Sequence, residues 1–316
     1  MNIFLANPRG FCAGVNRAIN IVNLILKIYG QPIYVYHEIV HNSHVLNVLR
    51  KKGVVFVENI ENVPKRSILI FSAHGVSKNV QNQAKKRNLK IFDATCPLVK
   101  KVHKKVCKAS DQGIEVILIG NSYHPEIKGT IGQYINNKNG GIYLIESFQD
   151  VLKIKINNPS RVVIANQTTL STEEVYLFKK ILIKKFPKIN ISRSDICYAT
   201  TNRQIAVQKL AEKTEIVFVI GSKNSSNSNR LVEIVKKYEK KSYLIDSISD
   251  IKKICLNNIK NIGITAGAST PDVIINQIIK YLCEIKNTSV IELSGIKENF
   301  IFKIPKSFYR KPSVLL

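Results

Sequence analysis

The stretch that decides the fold is NIFLANPRGFCAGVNRAI, residues 2–19. It starts with an apolar run of strand length, and a helix-like stretch begins at Ala13. Between them lies a glycine turn that contains Cys12. A strand that passes through such a turn into a helix is the first half of a βαβ unit, and the helix N–H groups can bind an anion. The stretch predicts an α/β fold and raises the question of why a thiol stands in this turn.

The same alternation continues along all 316 residues. β-branched apolar runs predict strands at 3–6, 33–36, 68–71, 116–119, 161–165, 216–220 and 262–265. Amphipathic stretches predict helices at 13–29, 77–87, 98–112, 171–186, 202–212, 229–240 and 271–286. Strands that alternate with helices in this way favour parallel sheets covered on both faces.

Composition narrows the class of protein. Hydrophobic residues make up 45% of the chain, and no apolar run reaches the roughly 18 residues of a membrane span, so we expect no membrane partner. The net charge of +26 would suit a polyanion, but the lysines are spread over helix-like segments and no nucleic-acid-binding motif is found, so we expect no nucleic-acid partner. A strand that starts at Asn2 leaves no room for a signal peptide, which favours a cytoplasmic location.

Three cysteines set a repeating register. A polar loop residue follows each of them after 28 or 29 residues, and a second one follows after 62 or 72; the series are Cys12, His41, His74; Cys96, His124, Thr168; and Cys197, Ser225, Ser269. The register predicts three small doubly wound α/β domains in a pseudo-threefold trefoil around a central site. The predicted boundaries are 14–96, 97–193, and 1–13 with 194–281, followed by a C-terminal segment, 282–316, that packs across the domains.

Cys12, Cys96 and Cys197 share a setting, because each precedes a predicted helix. A helix N-terminus lowers a thiol pKa and favours the thiolate that binds metals. Three such thiolates could hold zinc or an iron–sulfur cluster, and the residues alone leave structural thiols open as well. The remaining cysteines, Cys107, Cys255 and Cys283, are predicted to be small buried hydrophobes.

The polar loop ends predict a small phosphorylated ligand. Their side chains offer hydrogen-bond donors without a lysine cluster: His41, His74, Ser225, Ser226, Asn227 and Ser269. The run SSNSNR, residues 225–230, could instead be a flexible linker. On a predicted loop, Glu126 lies two residues after His124, and a buried carboxyl there could donate a proton. The alternative is an exposed carboxylate paired with Lys128.

The motifs together resemble those of the 4-hydroxy-3-methylbut-2-enyl diphosphate reductase family. They occur nearly end to end and in the order RGFCAGV, HEIVHN, SAHGVS, DATCPLV, HPE, QTTLS, DICYATTNRQ, GSKNSSNS and GASTP. The resemblance implies one 4Fe-4S cluster at the centre of the trefoil, with Cys12, Cys96 and Cys197 as its ligands. It also implies that the substrate is surrounded by His41, His74, His124, Thr168, Ser225, Ser226, Asn227 and Ser269. Adjacent Thr169 could take the place of Thr168.

The implied reaction is a reductive dehydroxylation, the last step of the non-mevalonate isoprenoid pathway. Two electrons and two protons remove the allylic hydroxyl as water and give isopentenyl and dimethylallyl diphosphates. The substrate hydroxyl is expected to bind the open iron, with Glu126 as proton donor and flavodoxin or ferredoxin as electron donor. Two alternatives are a non-redox iron–sulfur hydro-lyase and a phosphate- or RNA-binding module with structural cysteines.

Overall fold

Strands and helices alternate through the chain as the sequence predicts. The computed structural model describes residues 1–135, 140–191, 194–286 and 288–309. Its strands are β1 (Asn2–Leu5), β2 (Ile33–Tyr36), β3 (Val54–Val57), β4 (Ile68–Phe71), β5 (Lys90–Asp93), β6 (Glu115–Ile119), β7 (Ile142–Ile145), β8 (Val162–Asn166), β9 (Ile216–Ile220), β10 (Lys241–Ile245), β11 (Asn261–Ala266) and β12 (Ser289–Glu292).

Helices follow most of these strands. They are α1 (Ala13–Tyr29), α2 (Ser43–Lys51), α3 (Lys78–Lys86), α4 (Pro97–Asp111), α5 (Pro125–Ile131), α6 (Phe148–Lys153), α7 (Thr172–Lys185), α8 (Tyr198–Lys213), α9 (Ser226–Lys237), α10 (Ile248–Ile251) and α11 (Asp272–Ile285). Several begin after a serine whose hydroxyl accepts a hydrogen bond from the first turn, as Ser171 and Ser225 do. Among the described residues, no helix is long and apolar enough to cross a membrane.

The strands form three sheets, and every strand pair with a described register is parallel. The orders are β10-β9-β11-β1-β12, β3-β2-β4-β5 and β7-β6-β8. Central strands such as β6 and β9 are buried along their whole length, as their continuous apolar sequences predict. The predicted α/β class with three small sheets is confirmed.

The described chain divides into two compact units. The first contains Met1–Val15, His41–Leu46 and Cys197–Ile301 and is built on the five-stranded sheet. The N-terminal strand β1 lies between β11 and β12 in this sheet. The core under it is largely aliphatic, with Phe218 completely buried at its centre.

The second unit contains Asn16–Val40, Asn47–Ile196 and the described residues from Phe302 onward, and it holds the other two sheets. Helix α5, which follows β6, packs on the loop after β4. Gln133, just after α5, donates to the carbonyl of Val76 at 2.7 Å, and the amide of Lys78 donates to the carbonyl of Gly132 at 3.1 Å. A Cβ on Gly129 would lie 3.1 Å from the carbonyl oxygen of Gly75, so the two backbones approach closely.

All seven predicted strands are confirmed to within one residue at each end. The sequence analysis missed β3, β5, β7, β10 and β12, each at a sheet edge. Polar residues interrupt the apolar run in β5, β10 and β12, whereas β3 and β7 are short apolar strands of four residues. It also missed short helices, including α5. The linker interpretation of 225–230 is wrong, because Ser226 begins helix α9.

The prediction for the other three cysteines is partly wrong. Cys255 and Cys283 are exposed, and Cys107 is half-buried with its thiol 3.5 Å from Oε1 of Gln133. Cys283 lies on the outer side of α11, whose buried face is formed by Ile275, Ile278 and Leu282. Periodicity placed it in a helix correctly but did not show which face it occupies.

The buried aliphatic core predicts a clear stability difference between two isoleucines of the first unit. Ile264 is completely buried on β11, whereas Ile301 is 86% exposed. Ile264→Ala should lower the free energy of unfolding by about 2–5 kcal/mol, because it leaves a cavity between strands. Ile301→Ala should change it by less than about 0.5 kcal/mol. Urea unfolding followed by circular dichroism measures both, and equal effects would contradict the assigned core.

Candidate active site

Cys12 lies in a tight turn between β1 and α1. Its amide donates to the carbonyl of Ala268 at 3.1 Å, and the amide of Gly10 donates to the carbonyl of Ala266 at 3.2 Å. Gly10 has a φ of +69°, and a Cβ there would lie 3.1 Å from the carbonyl oxygen of Thr270. Only glycine adopts this conformation readily in so little space, so the turn that carries Cys12 depends on it.

Cys197 is the N-cap residue of α8. Its sulfur accepts a hydrogen bond from the amide of Thr200 at 3.3 Å and lies 3.1 Å from the Thr200 hydroxyl. Donors that point at the sulfur favour its thiolate form. The sequence analysis missed Thr200, although its position three residues after a capping residue is a recognisable signal.

A chain of hydrogen bonds joins Cys12 to Cys197. Asn227 is 4% exposed; its Oδ1 accepts from the amide of Ala268 at 3.0 Å, and its Nδ2 donates to the Thr200 hydroxyl at 3.5 Å. Because Ala268 also accepts from the Cys12 amide, one buried amide side chain ties both cysteine loops to α9. The first unit therefore brings Cys12, Cys197 and Asn227 together.

The phenol of Tyr198, the residue after Cys197, lies near Cys12. Burial, together with the nearby sulfur of Cys12 and the carboxylate of Glu298, raises the pKa of Tyr198 to about 12. The phenol therefore stays neutral beside these groups at physiological pH.

Polar residues from two other loops lie in the same unit. Ser225 caps α9, and its Oγ accepts from both the amide and the hydroxyl of Ser228. Ser226 and Asn227 occupy the first turn of α9, so they are helical residues and not loop residues. The hydroxyl of Ser269 donates to the carbonyl of His41 at 2.9 Å, which places His41 at the loop after β11.

The second unit positions Cys96 in a similar way. Cys96 is the N-cap residue of α4, directly after the β5 end, and its amide donates to the carbonyl of Ala73 at 3.0 Å. The loop that contains Ala73 also carries His74. Cys96 and His74 therefore follow neighbouring strands, β5 and β4, as the parallel sheet requires.

His74 and His124 meet edge to face, with ring centroids 5.6 Å apart. Between the His74 loop and α4, Gly75 has a φ of +79°, and a Cβ on it would lie 2.6 Å from Cε1 of His103. Burial lowers the pKa of His103 to about 4, so this supporting ring is neutral at physiological pH. His124 caps α5, and its Nδ1 accepts from the amide of Glu126 at 3.2 Å. The neutral ring therefore carries its proton on Nε2.

Glu126 is the one carboxyl among the predicted site residues, and it is buried. It lies in the first turn of α5, and 2% of its surface is exposed. Its Oε1 accepts from the amide of Thr168 at 2.7 Å and its Oε2 from the Thr168 hydroxyl at 2.9 Å. Burial raises the pKa of Glu126 to about 7, although the two hydrogen bonds from Thr168 act in the opposite direction. Such a carboxyl can both hold and release a proton near neutral pH.

Two sequence-based interpretations of this residue are corrected. Glu126 lies on a helix and not on a loop, and it is buried rather than exposed beside Lys128. Thr168 and Thr169 are also distinguished, because Thr168 contacts the Glu126 carboxyl while the Thr169 hydroxyl accepts from Gln167 at 2.9 Å.

The chain matches the profile of the LytB protein family over residues 3–283. It belongs to this family. A relative from Hamiltonella defensa, named 4-hydroxy-3-methylbut-2-enyl diphosphate reductase, is 56% identical over 97% of this chain and 96% of its own. A relative of the same name from Buchnera aphidicola is 54% identical over 100% of this chain and 99% of its own. The predicted family resemblance is confirmed.

A solved structure extends the likeness from LytB sequences to the fold. The chain matches the E-1-hydroxy-2-methyl-but-2-enyl-4-diphosphate reductase from Plasmodium falciparum with a TM-score of 0.89 and 37% identity, over 97% of this chain and 96% of that one. This likeness supports the predicted trefoil class of three small α/β domains.

The LytB resemblance implies an iron–sulfur cluster, and the donor set fits one. Cys12, Cys96 and Cys197 are partly exposed thiols, and each lies at the start of a helix. Among the described residues, no group of three or more His, Cys, Asp or Glu side chains is placed to hold a metal ion. A four-iron cluster binds each thiolate through a different iron, so its ligands stand farther apart than ligands around one ion.

The buried carboxyl predicts a pH-dependent stability difference. Between pH 4.5 and 7 the unfolded chain ionises Glu126 while the folded chain keeps it protonated, so wild-type stability falls as pH rises through this window. Relative to wild type, Glu126→Gln should therefore gain about 3 kcal/mol between pH 4.5 and 7.5. Thr168→Val removes a hydrogen bond that favours the carboxylate, so it should raise the Glu126 pKa further. The fall in the free energy of unfolding should then continue to higher pH than in the wild type. Urea unfolding at a series of pH values measures both, and a pH-independent difference for Glu126→Gln would contradict the raised pKa.

Proposed function

We propose that this chain reduces 4-hydroxy-3-methylbut-2-enyl diphosphate to isopentenyl and dimethylallyl diphosphates, the last step of the non-mevalonate isoprenoid pathway. The LytB match and the names of near full-length relatives support the assignment. The observation that carries it is the buried Glu126 carboxyl, held by Thr168 two residues after His124, whose ring meets that of His74. Loss of an allylic hydroxyl as water requires such a proton donor.

One 4Fe-4S cluster, held by Cys12, Cys96 and Cys197, is proposed as the cofactor. When bound, it supplies electrons and one iron without a protein thiolate that acts as a Lewis acid. The chain contributes thiolates at helix N-termini, where the amide groups favour negative charge. Flavodoxin or ferredoxin is the proposed electron donor, and the net charge of +26 would attract such an acidic carrier.

Glu126 is the proposed proton donor, and Thr168 is proposed to orient its carboxyl near the hydroxyl end of the substrate. With a pKa of about 7, the carboxyl is largely protonated at and below neutral pH. Burial by the surrounding protein keeps water away from it and preserves the proton until the hydroxyl leaves. His124 accepts the Glu126 amide hydrogen bond, which fixes the first turn of α5.

The diphosphate is proposed to bind the remaining polar residues. His41, Ser225, Ser226, Asn227 and Ser269 would act from the first unit and His74 and His124 from the second. Helix α9 begins at Ser226, and its first-turn amides add neutral donors for an anion. The cytoplasmic location remains a proposal. So do the domain boundaries given above, which are 14–96, 97–193, 1–13 with 194–281, and the 282–316 segment.

The cysteine assignment predicts a division between two sets of variants. Replacing Cys12, Cys96 or Cys197 with serine should remove the brown chromophore, the bound iron and the activity. The matched controls Cys107→Ser, Cys255→Ser and Cys283→Ser should keep all three. Anaerobic purification with visible spectra and iron and sulfide assays makes the measurement. A colourless Cys283→Ser protein would contradict the division.

The acid assignment predicts a loss of turnover without a loss of binding. Glu126→Gln should retain iron and bind substrate, while its kcat falls by at least about 10²-fold, because a positioned general acid contributes that much. The wild-type rate should also decline as pH rises through about 7, where Glu126 loses its proton. Steady-state kinetics with a chemical reductant tests both, and near-normal turnover by Glu126→Gln would remove its role.

Electron stoichiometry tests the reaction class as a whole. The reductase should consume two reducing equivalents for each product molecule. Turnover without any reductant would instead favour a non-redox hydro-lyase. A colourless protein that binds phosphate compounds equally well after Cys→Ser changes would favour a binding module.

A further inference from the structure

Three basic side chains lie on the helices that follow the three cysteines. They are Arg17 on α1, Lys105 on α4 and Arg203 on α8. Each is largely buried, and each contacts the segment that immediately precedes a different cysteine. The contacts of Arg17 and Lys105 lie within the second compact unit, and those of Arg203 lie within the first.

Arg17 holds the segment before Cys96. The guanidinium is 5% exposed, and its Nη1 donates to the carbonyls of Thr95 at 3.1 Å and Ala94 at 3.4 Å. Its Nε donates to the carbonyl of Lys303 at 3.2 Å. Since Thr95 adjoins Cys96, these bonds restrict the approach of the backbone to the cysteine.

Lys105 holds the segment before Cys197. Its ammonium lies 2.9 Å from Oδ2 and 3.2 Å from Oδ1 of Asp195, two residues before that cysteine. The side chains are 25% and 10% exposed, so the pair is largely shielded from water. Asn166 fixes Asp195 from the other side, because its Oδ1 accepts from the Asp195 amide at 2.9 Å.

Arg203 holds the segment before Cys12. Its side chain is completely buried and donates to the carbonyl of Gly10 through Nη2 at 2.7 Å and Nε at 3.0 Å. Nη2 also donates to the carbonyl of Phe11 at 3.3 Å. Glu298 pairs with the guanidinium at 3.0 Å and offsets its charge.

The three contacts close a cycle along the chain. The helix after Cys12 holds the segment before Cys96, the helix after Cys96 holds the segment before Cys197, and the helix after Cys197 holds the segment before Cys12. We propose that Arg17, Lys105 and Arg203 are positioning residues that fix the backbone of each cysteine loop for cluster binding. Their role at a cluster rests on the function proposed above, whereas the loop restraint does not.

The restraint has a physical cause in each case. A cysteine loop must keep its sulfur in place while the backbone around it remains free of regular secondary structure. A buried cation bonded to loop carbonyls or to a loop carboxylate resists local opening, because opening would leave that cation without partners in a poorly solvated site. Each positive charge, although partly offset by Asp195 at Lys105 and by Glu298 at Arg203, also favours negative atoms near the loop that it contacts.

The test is hydrogen exchange by mass spectrometry on the full-length protein without its cluster. Arg17→Gln should speed exchange at least about tenfold in peptides around Cys96, Lys105→Gln around Cys197, and Arg203→Gln around Cys12. Peptides around the other two cysteines should change by less than about twofold. Exposed basic residues give matched controls, namely Arg50→Gln, Lys104→Gln and Lys209→Gln, and these should leave all three regions unchanged. Circular dichroism checks that each variant is folded.

A second readout uses the reconstituted protein. The three variants should lose iron–sulfur absorbance in air faster than wild type and show more negative midpoint potentials, and Arg17→Lys should restore part of the wild-type behaviour. The proposal is overturned if folded Arg17→Gln and Lys105→Gln proteins leave the assigned peptides unchanged, or if each loosens all three regions equally. Should Arg203→Gln not fold, those two variants still decide it. The serine variants of the cysteines test cluster binding separately, so a failure of either proposal can be distinguished from a failure of the other.

Discussion

Removal of the Glu126 carboxyl from water is the interaction on which the chemistry of the second unit depends. In water this group would be ionised at neutral pH and could not donate a proton. Glu126 is buried in the first turn of α5, and this burial raises its pKa to about 7. Both carboxyl oxygens nevertheless accept hydrogen bonds from Thr168. Burial therefore has to be strong enough to outweigh two hydrogen bonds that favour the carboxylate. Helix α5 itself is held against the loop that carries His74 through Gly129 and Gln133.

The parallel sheets explain why so many of the proposed site residues lie at strand ends. In a parallel sheet, the carboxyl ends of all strands lie at the same edge, and the helix that follows each strand begins there with N–H groups that have no partner within the helix. Cys96, Cys197 and Ser225 occupy such N-cap positions, and Cys12 immediately precedes α1. A thiolate or a diphosphate is favoured at these positions for the same reason, the positive end of a helix. One architecture can therefore hold both anionic groups without a cluster of lysines.

The sequence was sufficient to predict every central strand of the three described sheets, and the residue types at their ends. Five edge strands were missed: polar residues interrupt the apolar pattern of β5, β10 and β12, and β3 and β7 are only four residues long. Glu126 was recognised as a candidate, but its burial depends on contacts with Thr168, 42 residues away. Local sequence could not show that Cys283 is exposed, since helical periodicity fixes a face only when the packing partner is known, and Cys255 is exposed on the loop after α10. Long-range packing accounts for each of these differences.

The sequence alone also does not show which of the basic residues are buried. The chain has 48 lysines and arginines, and most of them suit solvated helix faces. The net charge counts every cation equally. The free-energy cost of removal from water, however, falls on the buried cations, which therefore require partners that an exposed cation does not need. Arg203 is matched by Glu298 and Lys105 by Asp195, whereas Arg17 donates to the backbone carbonyls of Ala94 and Thr95 and has the Asp93 carboxylate nearby. Arg17 therefore takes two of its direct partners from the backbone that precedes Cys96, so the burial of this cation and the path of that loop depend on each other.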